Sequence, residues 1–129
     1  MTADLTYLAM TALLTGLLWL PYILGQISNN GIMKPADFAD PKPRKAPLWV
    51  QRANRAHVNA VETLAPFAVL VLIAQVAGVA DENTALWCAV FFWARVAHAI
   101  VYILGIPFAR SFAFAAGNVA LIALFITII

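Results

Sequence analysis

Charge is scarce in this sequence. Lys, Arg, Asp and Glu make up 11% of its 129 residues, under half of the roughly 25% typical of a soluble globular domain. With 64% hydrophobic residues, that scarcity excludes a soluble fold and reads as a membrane protein. Cysteine is nearly absent: Cys88 stands alone, so no intrachain disulfide can form. No spacing of Cys and His resembles a zinc or iron–sulfur site, and no metal is expected. The eight Lys and Arg against six Asp and Glu give a net charge of +2, but the basic residues gather mostly in one connection. That pattern is a topological signal, not a nucleic-acid footprint. No internal repeat or low-complexity segment is present.

What the sequence does have is apolar length. At about 20 residues per span there is room for four transmembrane helices in a single domain, 1–129. The spans are placed at about 5–27, 58–80, 84–104 and 110–129. Between Asp4 and Lys34 there is no charged residue, and the apolar stretch there is too long, and lacks the basic leader, for a cleaved signal peptide. Residues 28–47 carry Pro35, Pro41, Pro43 and Pro47 with the basic run Lys42, Arg44, Lys45, which predicts a solvated, non-helical connection. Span two is expected to end near Gly78, and Asn83 or Thr84 to cap span three. Gly105 and Pro107 close span three, and span four carries the small residues Ala113, Ala115, Ala116 and Gly117.

Lys34, Lys42, Arg44, Lys45, Arg52 and Arg55 lie in or beside the first connection and Arg110 in the third, while the second has only Asp81 and Glu82. The positive-inside rule then puts the first and third connections in the cytoplasm and both termini on the other side. A bacterial inner membrane is the expected location.

Two polar stripes interrupt the apolar pattern. Arg52, Arg55, Asn59 and Glu62 recur at spacings of three and four, within an arc of about 80° on a helix. Arg95, His98 and Tyr102 do the same on span three. An arginine at such a depth costs at least about 2.5 to 3.5 kcal/mol, so these residues are expected to face a bundle interior or a wet cavity. Counting inward from the outer turn places Glu62 and Tyr102 at nearly equal depth, with His98 and Arg95 deeper and Arg55 and Arg110 at the cytoplasmic rim. Guanidinium groups in excess over one carboxylate make a cationic funnel, suited to a multivalent anion. Such a field would also favour ionisation of a thiol.

A ligand-free alternative pairs Glu62 with Arg95, uses Asn59 as an interhelical hydrogen bond and lets Arg52 and Arg55 snorkel to the surface. One carboxylate, however, cannot neutralise Arg55, Arg95 and Arg110 together. His57 lies off the stripe and is expected at an interfacial or intersubunit contact. Cys88 is expected in the core, and Trp19, Trp49 and Trp87 are expected as interface anchors. Pro66 is expected to kink the second span.

The run Arg52-Ala-Asn-Arg55-Ala-His57-Val-Asn59-Ala-Val-Glu62-Thr-Leu-Ala-Pro66-Phe67, with Arg95-Val-Ala-His98-Ala-Ile-Val-Tyr102 and then Arg110-Ser111, closely resembles the signatures of the MAPEG family, the membrane-associated proteins in eicosanoid and glutathione metabolism. Microsomal glutathione transferases and prostaglandin E synthases are branches of that family. The resemblance spans the whole chain. It implies an all-α, four-transmembrane-helix protomer of a homotrimer, with glutathione in cytoplasm-facing clefts between subunits.

Position by position, the resemblance makes Arg55, Asn59, Glu62, His98 and Tyr102 glutathione-binding residues, with Arg95 supporting Tyr102 and Glu62 from below. Arg110 and Ser111 would act on the thiol. It implies a transferase or peroxidase acting on a lipophilic electrophile or lipid hydroperoxide drawn from the membrane lipids. Val58, Gln26 with Ser28, and Phe114 depart from the prostaglandin synthase pattern, so that particular activity is not implied. The alternative is a non-enzymatic lipid-binding member of the same family.

Overall fold

The computed structural model describes all 129 residues and contains no strand. Its helices are α1 (Ala3–Leu17), α2 (Trp19–Asn30), α3 (Pro35–Ala39), α4 (Leu48–Val76), α5 (Glu82–Leu104) and α6 (Ala109–Ile128). Four segments are long and apolar enough to cross a membrane: Ala3–Asn30, which joins α1 and α2, then α4, α5 and α6. The interruption at Leu18 has a chemical cause three residues on. Pro21 has no N–H to give the Leu17 carbonyl, so the helix cannot continue its ladder there.

The first connection is more structured than its prolines predict. Residues 28–30 remain helical, ending at Gly31 with φ +77°, and α3 forms where Pro35 occupies the first helical position, the one place a missing N–H is harmless. The Asp37 carboxylate accepts from the Lys34 amide at 2.7 Å and closes that turn. Helix α4 begins directly after Pro47, well ahead of residue 58, and ends at Val76. Gly78 at φ +70° lets the Val79 amide turn back to the Ala74 carbonyl at 3.0 Å. The cap of α5 is Asp81, not Asn83 or Thr84. Its carboxylate accepts from both of their amides at 2.9 Å, while the Thr84 hydroxyl accepts from the Asp81 amide, a reciprocal capping box.

Helix α5 is central and packs against α1, α4 and α6. Phe67 and Val71 of α4, Cys88 and Phe91 of α5, and Ala120 and Leu124 of α6 form the larger buried cluster. The Phe67 and Phe91 rings stack within it at 4.1 Å. Leu18, Ala60 and Ala99 form a second, smaller one. Cys88 is a core residue, its thiol 3.8 Å from the buried Asp4 carboxylate. Trp87 packs against the larger cluster and is not a free anchor, whereas Trp19 and Trp49 are partly exposed. Gly25 abuts Val50 and Trp49, so α2 reaches α4 more closely than any side chain there would allow.

Two contacts set the antiparallel register of α4 and α5. Arg52 Nε donates to the Ile103 carbonyl at 3.0 Å, and Arg95 Nη1 donates to Asn59 Oδ1 at 2.9 Å. Tyr102 is therefore opposite the start of α4, and Glu62 lies beyond the level of Asn59. At 1.5 Å per residue the two differ in depth by about 15 Å. The equal depth expected from counting is corrected by this register, and the end of α4 at Val76 with the start of α5 at Glu82 accounts for part of the difference.

Candidate functional site

The site is assembled around one buried cation. Arg95 is 3% exposed. Its guanidinium donates to Asn59 of α4, as above, and from Nη2 to the Ala113 carbonyl of α6 at 3.4 Å, while Nε has no partner. The Phe91 and Phe114 rings lie 5.6 and 5.5 Å from Cζ, close enough for their electron-rich faces to attract it. Room for the group comes from Gly117, where a Cβ would fall 2.7 Å from Nη2. One side chain thus ties three helices together through neutral partners, and its charge is not cancelled within the chain.

Above Arg95, towards the end of the bundle that carries the first and third connections, Asn59, His98, Tyr102, Arg110, Ser111 and Phe114 line an open pocket of about 230 Å³. His98 is 4% exposed, edge-on to Tyr102 with centroids 5.3 Å apart. The Arg110 guanidinium lies 4.7 Å from the centre of the Tyr102 ring. Arg110 and Ser111 occupy the first turn of α6, which starts from Phe108 in the left-handed region at φ +63°. The Ala109 and Ser111 amides are tied to Pro107 and Phe108 carbonyls, and the Arg110 amide is left among the unpaired donors of a helix start. Both side chains are exposed, so a guanidinium and a hydroxyl stand free at the positive end of a helix dipole.

A second pocket, of about 250 Å³, shares Tyr102 and Arg110 and adds Arg52, Gly105, Ile106 and Phe108. Gly105 at φ +71° ends α5 and gives space to Arg52, whose Cζ would lie 2.8 Å from a Cβ there. Arg52 does not snorkel; it binds the carbonyl end of α5, where the helix dipole favours a cation.

Of the residues expected in the site, the fold brings Asn59, His98, Tyr102, Arg110 and Ser111 onto one pocket, with Arg95 directly behind them. Two stay apart within the chain. Arg55 opens into a different pocket, and Glu62 is exposed on α4. The chain's one ion pair is Lys42 with Asp40 at 3.1 Å, so the Glu62–Arg95 pair does not form and Glu62 is not buried among arginines. Arg95 holds Asn59 and α6, not Tyr102 and Glu62. His57 lies against Tyr22 of the same chain, their tilted rings 5.6 Å apart.

The contributions of Gly117 and the Ala113 carbonyl went unrecognised in the small-residue run of span four. A glycine at the level of an intramembrane arginine was the available signal.

Compared with known families, residues 6–129 match the model of the MAPEG family. No individual curated protein matches the chain.

Proposed function

The chain belongs to the MAPEG family, and from that premise we propose that it is a membrane-bound, glutathione-dependent transferase or peroxidase. Family membership and four apolar helices make it an integral, multi-pass membrane protein of the glutathione and eicosanoid group. The observation that carries the finer reading is the pairing of an unneutralised Arg110, set over Tyr102, with a free Ser111 hydroxyl on the same pocket.

Glutathione fits this donor set. It has two carboxylates for guanidinium groups that no carboxylate of the chain neutralises, an ammonium for the unpaired Glu62, and a thiol. The thiol supplies the nucleophile that attacks a lipophilic electrophile or a lipid hydroperoxide. Ser111 donates a hydrogen bond towards the sulfur, and Arg110 supplies charge where the thiolate develops, which activates a nucleophile without a dedicated base. Asn59, His98 and Tyr102 position the peptide. Arg95 holds Asn59 and α6 in place and adds positive field from beneath.

Glu62 and Arg55 support a homotrimer. Both are exposed on α4, Glu62 within its apolar stretch, and a charged group facing hydrocarbon there costs about 2.5 to 3.5 kcal/mol or more. A neighbouring copy covering this face removes the penalty and brings Arg55 and Glu62 to the cleft. The cleft opens on the cytoplasmic side, with both termini opposite, as the charge asymmetry of the connections supports.

The test is equilibrium binding of glutathione to the detergent-solubilised protein, with oxidised and S-methylated glutathione as controls. Saturable binding that weakens on S-methylation supports thiol recognition. No binding at all would favour the lipid-binding alternative.

A further inference from the structure

A separate pocket of about 420 Å³ lies where the end of α2 meets the start of α4. Gln26, Arg44, Lys45, Gln51, Asn54 and Arg55 line it together with apolar atoms of Ala46 and Val50. No carboxylate is among them. The two acids of the same connection line a neighbouring pocket with Arg44 and are already engaged: Asp40 pairs with Lys42, and Asp37 accepts from the Lys34 amide.

The backbone that carries Arg44 and Lys45 is held by the fold. Asn29 and Asn30 both donate to the Lys45 carbonyl, at 3.0 and 2.8 Å. Arg44 Nη2 donates back to the Asn30 carbonyl at 3.2 Å, next to Gly31, where a left-handed turn exposes the end of α2. These crossed links clasp residues 29–31 to 44–45. The Gln26 carbonyl oxygen is occupied by Asn30 at 2.9 Å, so what Gln26 has left to offer is its N–H group. Gln51 is engaged the other way, its Nε2 donating to the Ala46 carbonyl at 2.9 Å, so it braces the start of α4.

The pocket therefore gathers the cations Arg44, Lys45 and Arg55 with the Gln26 amide N–H, without a counter-ion, at the level of the half-exposed Trp49. Tryptophan marks the headgroup layer of a bilayer. We propose that this cradle binds a phosphate group, that of an acidic phospholipid in the leaflet it faces. A phosphodiester offers strong acceptors at that depth, and each basic side chain near an anionic headgroup contributes about fivefold in affinity. Arg55 is the one residue shared with the thiol site proposed above, so the test leaves it untouched.

The protein is reconstituted in nanodiscs of equal phosphatidylglycerol and phosphatidylcholine, and native mass spectrometry reads which lipid each chain retains. Wild type should keep phosphatidylglycerol preferentially. Lys45→Gln should reduce that preference about fivefold, and Lys45→Glu further, with glutathione binding unchanged in both. A parallel arm titrates inorganic phosphate into delipidated protein; binding there, weakened by Lys45→Gln and without lipid preference, assigns the same cradle to a soluble phosphate. Equal retention of both lipids with no phosphate binding overturns the proposal, as does a preference indifferent to Lys45. Displacement of the retained lipid by glutathione also overturns it, since the cradle would then belong to the thiol cleft.

Discussion

Arg95 of α5 donates to Asn59 of α4 at 2.9 Å, and this hydrogen bond joins the two polar stripes within a single chain. It gives a buried guanidinium an uncharged partner, so the charge persists beneath the pocket. Asn59→Leu should therefore destabilise the protein by about 3 kcal/mol, the scale of leaving a buried charge without its hydrogen bond. Asn59→Asp should retain most of the stability, because a carboxylate accepts from Arg95 equally well. Thermal unfolding in detergent compares the two, and equal midpoints for Asn59→Leu and wild type would remove Arg95 as the organising residue.

Three glycines separate backbone strain from space. Gly78 and Gly105 both have positive φ, but only at Gly105 would a Cβ meet a neighbour, Arg52. Alanine at Gly78 should cost about 1 to 2 kcal/mol from the left-handed conformation alone, and alanine at Gly105 more, since it also dislodges Arg52 from the Ile103 carbonyl. At Gly117 the conformation is ordinary and the cost comes from displacing Arg95, about 1 to 3 kcal/mol. Thermal midpoints of the three variants should rank Gly78→Ala as the mildest of the two positive-φ sites. An equal loss at Gly78 and Gly105 would mean that Arg52 moves away freely.

The four apolar spans and the two stripes were legible because apolar runs and a spacing of three and four are local properties. Asn59, His98, Tyr102, Arg110 and Ser111 meet as their faces predicted. Depth was not legible: it depends on the register of α4 against α5, which the Arg52–Ile103 and Arg95–Asn59 contacts set. The partner of Arg95 was not legible either. Charge alone pointed to Glu62, but geometry gave Asn59 and a backbone carbonyl, and the space for them came from the absence of a side chain at Gly117. Helix α3 was hidden among prolines that read as breakers and in fact include its first residue.

Sidedness rests on the basic first connection against the acidic second. Reporter fusions at Lys42 and after Gly105 should read cytoplasmic, and fusions at Glu82 and at the C-terminal end should read external. A cytoplasmic signal from the C-terminal fusion would reverse the orientation of the cleft.

Glu62 makes no ion pair within its own chain, so its effect should appear in ligand binding and assembly. Native mass spectrometry in mild detergent should give a trimer. Glu62→Gln should keep the ligand-free thermal midpoint close to wild type while weakening glutathione about tenfold to a hundredfold, the worth of a charged hydrogen bond. A stable monomer that still binds glutathione would contradict the intersubunit cleft, and unchanged affinity in Glu62→Gln would take Glu62 out of the site.

Thiol activation by Arg110 is the centre of the account, and thiolate absorbance in the far ultraviolet, followed against pH with bound glutathione, reads it directly. Wild type should show a thiolate forming below the usual range for a free thiol, about 8.5. Arg110→Gln should shift that titration upward and lower turnover with chlorodinitrobenzene, with a smaller loss of glutathione affinity because Asn59, Tyr102 and Arg55 remain. Ser111→Ala should move both in the same direction by less. If Arg110→Gln leaves the thiolate titration and turnover as they are in wild type, Arg110 does not activate the thiol and the chain is a binding protein at this site.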